Sequence, residues 1–91
     1  MEFIKDGNRF YMGEDKAKPL AEITYVEAGN HSLVVDHTFT DPSLRGQGIA
    51  RKLVERVADY ARENNLRLVS TCPYAKRVLE EAAFSDVYAG R

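Results

Sequence analysis

The chain has 91 residues, a hydrophobic fraction of 44%, a charged fraction of 30% and a formal net charge of −1. These values predict one globular domain over residues 1–91, and the balanced charge excludes general attraction to nucleic acid or to an anionic membrane. No apolar run approaches the length of a membrane span, the N-terminal residues lack the apolar centre of a signal peptide, and Cys72 is the single cysteine. We therefore expect a cytoplasmic protein without disulfides.

The first half of the chain predicts three strands. Residues 8–12 form a short aromatic run, residues 13–19 are polar and end at a proline, and residues 20–29 are rich in β-branched and aromatic side chains. Asn30 and His31 separate this run from a second strong one, residues 32–40, which predicts a hairpin and an antiparallel pair. Strict alternation along the last strand would place four side chains on one face, namely Leu33, Val35, His37 and Phe39.

The second half predicts a helix, a strand and another helix. Apolar side chains recur every three or four residues from about 46 to 64, residues 66–71 form a short strand, and residues 74–84 form the last helix. The apolar stripe of that helix would comprise Val78, Leu79, Ala82 and Ala83. A strand, helix and strand in succession favour a parallel pair with a crossover connection. The expected fold class is α+β, with a mixed, mainly antiparallel sheet and a C-terminal helix.

Two glycines stand where the long helix should begin, although glycine weakens a helix. The amides at a helix N-terminus attract anions, glycine permits close approach of a ligand, and an arginine adds a fixed positive charge. The pattern therefore indicates an anion site, and simple loop geometry explains the glycines equally well. The segment consists of Arg45, Gly46, Gln47, Gly48, Ile49 and Ala50. Its spacing matches neither a P-loop nor the dinucleotide fingerprint.

The same hexapeptide matches the pattern Arg/Gln-x-x-Gly-x-Gly/Ala of the GNAT acetyltransferase superfamily. With His37-Thr38 and Cys72-Pro73-Tyr74 at these spacings, residues 20–84 resemble a compact single-domain group of that superfamily. The resemblance implies binding of acetyl-coenzyme A, without a metal, and transfer of the acetyl group to an amine of a small molecule or a protein.

The resemblance also implies a place for each part of acetyl-coenzyme A. The pyrophosphate would lie at the amides of Gln47, Gly48, Ile49 and Ala50. The pantetheine arm would lie between the strands of residues 32–40 and 66–71, with the backbone near Thr38 and Phe39 facing the thioester carbonyl. Arg51 or Lys52 would reach the outer phosphates. The alternative, which we favour, is that both are solvent-facing charges of the helix.

One departure from the family keeps other functions open. Typical GNAT enzymes carry one or two helices between their first two strands, and residues 13–19 leave no room for them. The alternatives are a non-catalytic module that binds acyl-coenzyme A and a protein-interaction domain that keeps only the fold.

Three side chains are candidates for the chemistry. Cys72 would accept the acetyl group as a nucleophile or protonate the departing thiolate, and otherwise it is a small buried apolar residue. His37 would act as a base or orient the thiol, and otherwise it is a hydrogen-bonded core residue. Tyr74 would donate to the leaving thiolate, and otherwise it packs with its hydroxyl in water. Two histidines and one cysteine at these spacings match no zinc template, so we expect no metal site.

Overall fold

A computed structural model describes residues 3–90, in which five strands form one sheet in the order β1-β2-β3-β4-β5. The strands are β1 (Ile4–Lys5), β2 (Arg9–Met12), β3 (Ala21–Ala28), β4 (Ser32–Thr40) and β5 (Arg67–Ser70). Neighbouring strands are antiparallel except for β4 and β5, which are parallel. The predicted mixed, mainly antiparallel sheet and the α+β class are confirmed, and the two-residue β1 is an addition to them.

Two helices cover one face of the sheet. Helix α1 (Ile49–Glu63) connects β4 to β5 and packs on β2, β3, β4 and β5, and helix α2 (Pro73–Leu79) packs on α1, β4 and β5. The apolar stripe of α1 is buried against the inner face of the sheet, as its spacing predicts, except for the partly exposed Ala50. The largest fully buried side chains include Phe10, Ile23, Val35, Leu53 and Leu68. Neither helix in the described part of the chain has the length and apolar character of a membrane span.

The hairpin between β3 and β4 follows the prediction. Its loop contains Asn30 and His31, with φ angles of 63° and 57°, and the two strands pair from Ala28↔Ser32 onward. Left-handed backbone is what a tight β-hairpin needs at such positions. The carbonyl of His31 also accepts a hydrogen bond from the Arg67 amide at 2.8 Å, which joins the hairpin to the start of β5.

Strand β4 contains a β-bulge that the sequence pattern did not predict. Thr24 pairs with His37 and Tyr25 pairs with Val35, so Asp36 is an extra residue without a partner on β3. The side chain of Asp36 turns outward and accepts a hydrogen bond from the Thr24 hydroxyl. One extra residue reverses the alternation of every later side chain in the strand.

The face assignment for the end of β4 is therefore wrong. Leu33 and Val35 face the helices as expected, but His37 and Phe39 lie on the opposite, outer face of the sheet. Thr38 pairs with buried Ile23 and so takes the inner position. Downstream of the bulge, the inner face is lined by threonines instead of by a histidine and a phenylalanine.

The last helix is shorter than predicted. Helix α2 begins at Pro73, a favoured first position, and ends at Leu79 because the chain becomes extended at Glu81, with a ψ angle of 151°. A 3₁₀ turn (Ala82–Phe84) follows. Ala82 and Ala83 are exposed and do not belong to the apolar stripe. Phe84, Val87 and Tyr88 complete the core instead, and Tyr88 bridges to Leu68 of β5.

Candidate functional site

The predicted anion-binding turn forms the N-terminus of α1. Gly46 and Gly48 have φ angles of 85° and 74°, a left-handed conformation that strains any residue with a Cβ. A Cβ built on either glycine meets no atom within 4 Å, so the glycines satisfy the backbone conformation and leave open space in front of it. The first intrahelical bond runs from the Lys52 amide to the Gly48 carbonyl at 3.1 Å, so the preceding amides have no acceptor within the helix.

The connection from β4 to α1 is held by local hydrogen bonds. The Asp41 carboxylate accepts the Ser43 amide at 3.0 Å and the Ser43 hydroxyl, which caps the 3₁₀ turn Pro42–Leu44. These bonds, together with the charge of Arg45, hold the pKa of Asp41 below its ordinary value. The turn therefore delivers Arg45 and the two glycines to the helix start in a fixed conformation.

A cleft of about 180 Å³ opens at this helix start. It is lined by Thr40, Leu44, Arg45, Gly46, Gly48, Ile49, Ala50 and Tyr74. The structure thus brings five residues of the hexapeptide together with Tyr74, while Gln47 is exposed beside them. A larger opening of about 430 Å³ lies at the other end of α1, around Arg62, Arg67 and Asp86, and none of the predicted site residues lines it.

Strand β5 ends beside the middle of β4, and β4 continues alone on this side toward the cleft. Their pairing runs only from Ser32↔Arg67 to Val35↔Ser70, whereas β4 continues to Thr40. The amides of Thr71 and Cys72 both donate to the Val35 carbonyl, at 2.9 and 3.4 Å, before the chain turns into α2. Within residues 3–90, no strand pairs with β4 on this side after Val35. The backbone pairing therefore has a gap between the last half of β4 and the start of α2, and the Cys72 side chain reaches across this gap.

Backbone alternation decides which amides of β4 face the gap. The Asp41 amide donates to the Leu20 carbonyl at 2.7 Å, on the side of β3. Successive residues of a strand direct their N–H and C=O groups to opposite sides, so the amides of Thr38 and Thr40 point toward the gap and that of Phe39 toward β3. Of the two residues expected to face a thioester carbonyl, Thr38 has the suitable backbone orientation.

Cys72 lies across the gap from β4. Its residue is 9% exposed, and its Sγ is 3.7 Å from the Thr38 hydroxyl, with either atom able to donate. The Ser70 hydroxyl accepts the Cys72 amide at 3.1 Å and lies 2.9 Å from the Cys72 carbonyl oxygen, so Ser70 fixes the backbone that carries the sulfur. Sequence reasoning missed Ser70, although serine hydroxyls commonly form hydrogen bonds with backbone groups two residues further along the chain.

His37 is not part of the group around the sulfur. The bulge at Asp36 turns His37 to the outer face, where its side chain is 55% exposed and Nε2 lies 3.9 Å from a Glu22 carboxylate oxygen. Phe39 is 37% exposed on the same face. The expected proximity of His37 to Cys72 is therefore wrong, because that expectation assumed unbroken alternation along β4.

Arg45 and Arg51 lie near the start of α1, and carboxylates already bind the guanidinium of Arg51. Arg51 donates two hydrogen bonds to the Glu81 carboxylate, at 2.9 and 2.7 Å, and contacts Glu55 at 3.4 Å. These bonds lower the pKa of Glu81 below its ordinary value. Arg51 thus joins α1 to the chain after α2, and Arg45 supplies the positive charge at the cleft. Among residues 3–90, no three His, Cys, Asp or Glu side chains are grouped as metal ligands would be.

Comparison with known proteins identifies the family. The model of the GCN5-related N-acetyltransferase family matches residues 9–87. No match was found among curated proteins. The solution structure of a GCN5-like protein from Staphylococcus aureus is 43% identical, with a TM-score of 0.85, and the match covers 99% of this chain and 89% of that one.

Two larger proteins share the fold at lower identity. A ribosomal-protein-alanine N-acetyltransferase from Brucella melitensis has a TM-score of 0.58 at 22% identity, over 79% of this chain and 59% of that one. A Clostridium acetobutylicum protein whose crystal structure was determined with acetyl-CoA has a TM-score of 0.56 at 19% identity, over 86% and 57%. The chain thus spans somewhat more than half of each larger protein. It belongs to the GCN5-related N-acetyltransferase family.

Proposed function

We propose that this domain binds acetyl-coenzyme A between β4 and α2 and transfers the acetyl group to an amine of a small molecule or a protein. The observation that carries the proposal is the continuity of the site. The uncapped amides of α1, the unpaired side of β4 and the sulfur of Cys72 follow one another in space, and the cleft at the helix start extends to Thr40 of β4. Membership of the family supports the same activity.

The start of α1 fits a diphosphate. The left-handed turn at Gly46 and Gly48 leaves open space in front of the helix amides, and Arg45 lines the same cleft. Amides that lack intrahelical acceptors and the positive end of the helix dipole both favour an anion there. The groups that hold the diphosphate are therefore the amides of residues 47–50, with Arg45 as the neighbouring cation.

The gap between β4 and α2 fits an extended arm with amide groups. The amides of Thr38 and Thr40 face this gap, where no strand of the described chain pairs with them, and an extended ligand would pair as a strand does. Acetyl-coenzyme A supplies an activated acetyl group as a thioester. The Thr38 amide is the donor best placed to polarise the carbonyl of that group.

Cys72 is the proposed reactive side chain. In one route its thiolate takes the acetyl group, the bond to the sulfur of coenzyme A breaks, and the acceptor nitrogen then takes the acetyl group and releases the Cys72 thiolate. In the other route the amine reacts directly and the Cys72 thiol gives its proton to the departing thiolate. The Thr38 hydroxyl, 3.7 Å from Sγ, orients the sulfur in both routes.

The remaining candidates act on other sides of the site. Tyr74 lines the cleft and is 37% exposed. In the covalent route, where the Cys72 sulfur carries the acetyl group, the Tyr74 hydroxyl gives its proton to the thiolate of coenzyme A. His37, with Glu22 beside it, lies on the outer face of the sheet. In this proposal His37 takes a proton from an acceptor amine that approaches from the outer face.

A second candidate function is non-catalytic binding of acyl-coenzyme A. The connection between β2 and β3, residues 13–20, contains no helix, and the outer face of the sheet has no covering helix within residues 3–90. Such a module would keep the α1 and β4 contacts and lack a built acceptor site. Transfer to an amine distinguishes the two functions.

The experiment compares Cys72→Ala with the wild-type protein and with Ser85→Ala, an exposed control. Calorimetry should show acetyl-coenzyme A binding to all three, since the diphosphate site does not involve the sulfur. Release of coenzyme A thiol with a panel of amines should occur in the wild type and the control and fall by an order of magnitude or more in Cys72→Ala.

The routes are separated by mass spectrometry of the intact protein after brief mixing with acetyl-coenzyme A. An acetyl group on Cys72 supports the covalent route, and its absence with normal turnover supports the direct route. Full activity of Cys72→Ala removes the cysteine from the mechanism. Binding without turnover for any amine supports the non-catalytic module, and absence of binding in the wild type overturns both functions.

A further inference from the structure

One buried side-chain oxygen in the described part of the chain lacks a hydrogen-bond partner. Among residues 3–90, Thr40 Oγ1 is the buried side-chain nitrogen or oxygen that makes no hydrogen bond. Leaving such a group unsatisfied destabilises a folded protein, and native structures rarely contain one without a reason. A valine has the same shape without that cost, and valine is also a favoured strand residue. The hydroxyl at this position therefore calls for a ligand-related explanation.

Thr40 also lies at a special place in the candidate site. It lines the cleft at the start of α1, and it pairs with Ala21 on the inner face of the sheet. Thr38, which contacts the Cys72 sulfur, is two residues away, about 7 Å along the strand. Thr40 is thus situated between the amides proposed to bind the diphosphate and the sulfur proposed to react with the acyl group.

We propose that the Thr40 hydroxyl is a positioning group for the bound thioester and hydrogen-bonds the hydroxyl and amide segment of the pantetheine arm next to the diphosphate. This inference rests on the proposed function. In the free protein the hydroxyl stays covered, and binding of the arm favours a second χ1 rotamer in which the hydroxyl faces the cleft without movement of the backbone. The ligand then provides the partner that the free protein lacks.

The chemistry of the cleft favours the arm over the diphosphate. The diphosphate is charged and has the helix amides and Arg45 available to it. A neutral hydroxyl that donates and accepts suits the neutral hydroxyl and amide groups of the arm. The contact therefore fixes how far along β4 the arm extends, and with it the position of the acyl group relative to Cys72.

The test compares Thr40→Val, which removes only the hydroxyl, with Thr40→Ser, which keeps it. Binding of coenzyme A, acetyl-coenzyme A and ADP is measured by calorimetry or competition, and the thermal midpoint of the free proteins is measured alongside. Thr40→Val should bind both coenzyme A species about 3- to 10-fold more weakly and ADP unchanged. Thr40→Ser should bind close to the wild type.

The free Thr40→Val protein should melt about 4 °C or more higher than the wild type, because an unsatisfied buried hydroxyl is gone. Weaker binding together with higher stability is an outcome that loss of packing does not produce. Equal binding of coenzyme A by Thr40→Val overturns the inference while leaving the proposed function intact. A lower midpoint, or an equal loss for ADP, also overturns it. Absence of coenzyme A binding in the wild type overturns the inference and the proposed function together.

Discussion

The backbone at Gly46 and Gly48 connects a local conformation to a binding property. Both residues have φ angles in the left-handed region, and both face open space. A helix does not need two such residues in order to begin, because Ser, Thr, Asp and Asn are the common N-caps. The turn instead keeps side-chain atoms away from the amides of α1, which agrees with the diphosphate site that we propose.

We predict that Gly48→Ala destabilises the fold by about 1–2 kcal/mol, the cost of left-handed backbone in an L-residue. The same change should weaken coenzyme A binding several-fold, because a methyl group then stands in front of the amides. Gly29→Ala is the matched control, since Gly29 also has open space and no left-handed φ. Urea unfolding and calorimetry measure the two effects. Normal coenzyme A affinity in a folded Gly48→Ala protein would contradict the role of this turn.

Single residues also explain where sequence reasoning succeeded and where it failed. The glycine pair, the hairpin turn at Asn30 and His31, and the apolar stripe of α1 each depend on local geometry. Local geometry can be predicted from short stretches of sequence. The bulge at Asp36 depends on pairing between two strands, and its only local sign is an aspartate directly after three apolar residues of the strand. The contact of Thr38 with Cys72 joins positions 34 residues apart and follows from the bulge.

At the scale of elements, two arginines of α1 tie the C-terminal segment to the helix. Arg51 binds the Glu81 carboxylate through two bonds, and Arg62 binds Asp86 at 2.7 and 3.0 Å and the Ala83 carbonyl at 3.0 Å. The partners hold the pKa values of Glu81 and Asp86 below their ordinary values of 4.5 and 3.8. Glu81, Ala83 and Asp86 all follow the end of α2 at Leu79. Helical periodicity alone predicted a helix that continued to Phe84.

We predict an acid-sensitive contribution from these two carboxylates. The pKa values of both groups are lower in the folded chain than in the unfolded chain. At pH values between the two, the unfolded chain binds more protons, so stability rises with pH. The contribution is present above pH 4.5 and is lost as the pH falls through the folded values. Unfolding midpoints of the wild type and Glu81→Gln/Asp86→Asn should therefore converge as the pH is lowered below 4.5. Curves that stay parallel from pH 7 to the acid limit would contradict this role.

At the scale of the whole molecule, both helices cover the same face of the sheet, and no helix within residues 3–90 covers the other face. The inner face and α1 form the core, while the exposed large apolar side chains include Ile4, Val26 and Phe39 of the outer face. Small domains bury a limited fraction of their surface, so the core residues of α1 carry a large share of the stability. The α+β class followed from the order of elements, but the sequence did not show that both helices lie on one side.

We predict that Leu53→Ala costs about 2–5 kcal/mol, because Leu53 is fully buried in the second turn of α1 and its loss leaves a cavity. Leu20→Ala is the matched control. Leu20 is 41% exposed, and its truncation should cost about 1 kcal/mol or less. Chemical denaturation followed by circular dichroism measures both changes. Similar costs at the two positions would show that the core is not centred on α1.

The bulge at Asp36 has a consequence for reading related sequences. Before Asp36, the odd-numbered residues of β4 face the helices. After Asp36, the even-numbered residues face them. In a relative that lacks the extra residue of the bulge, the histidine would face the helices and the threonine would face outward, even if both residue types were present. Comparisons within this group should therefore anchor the end of the strand on the glycine turn, and count backwards from there to find the residue that meets the sulfur.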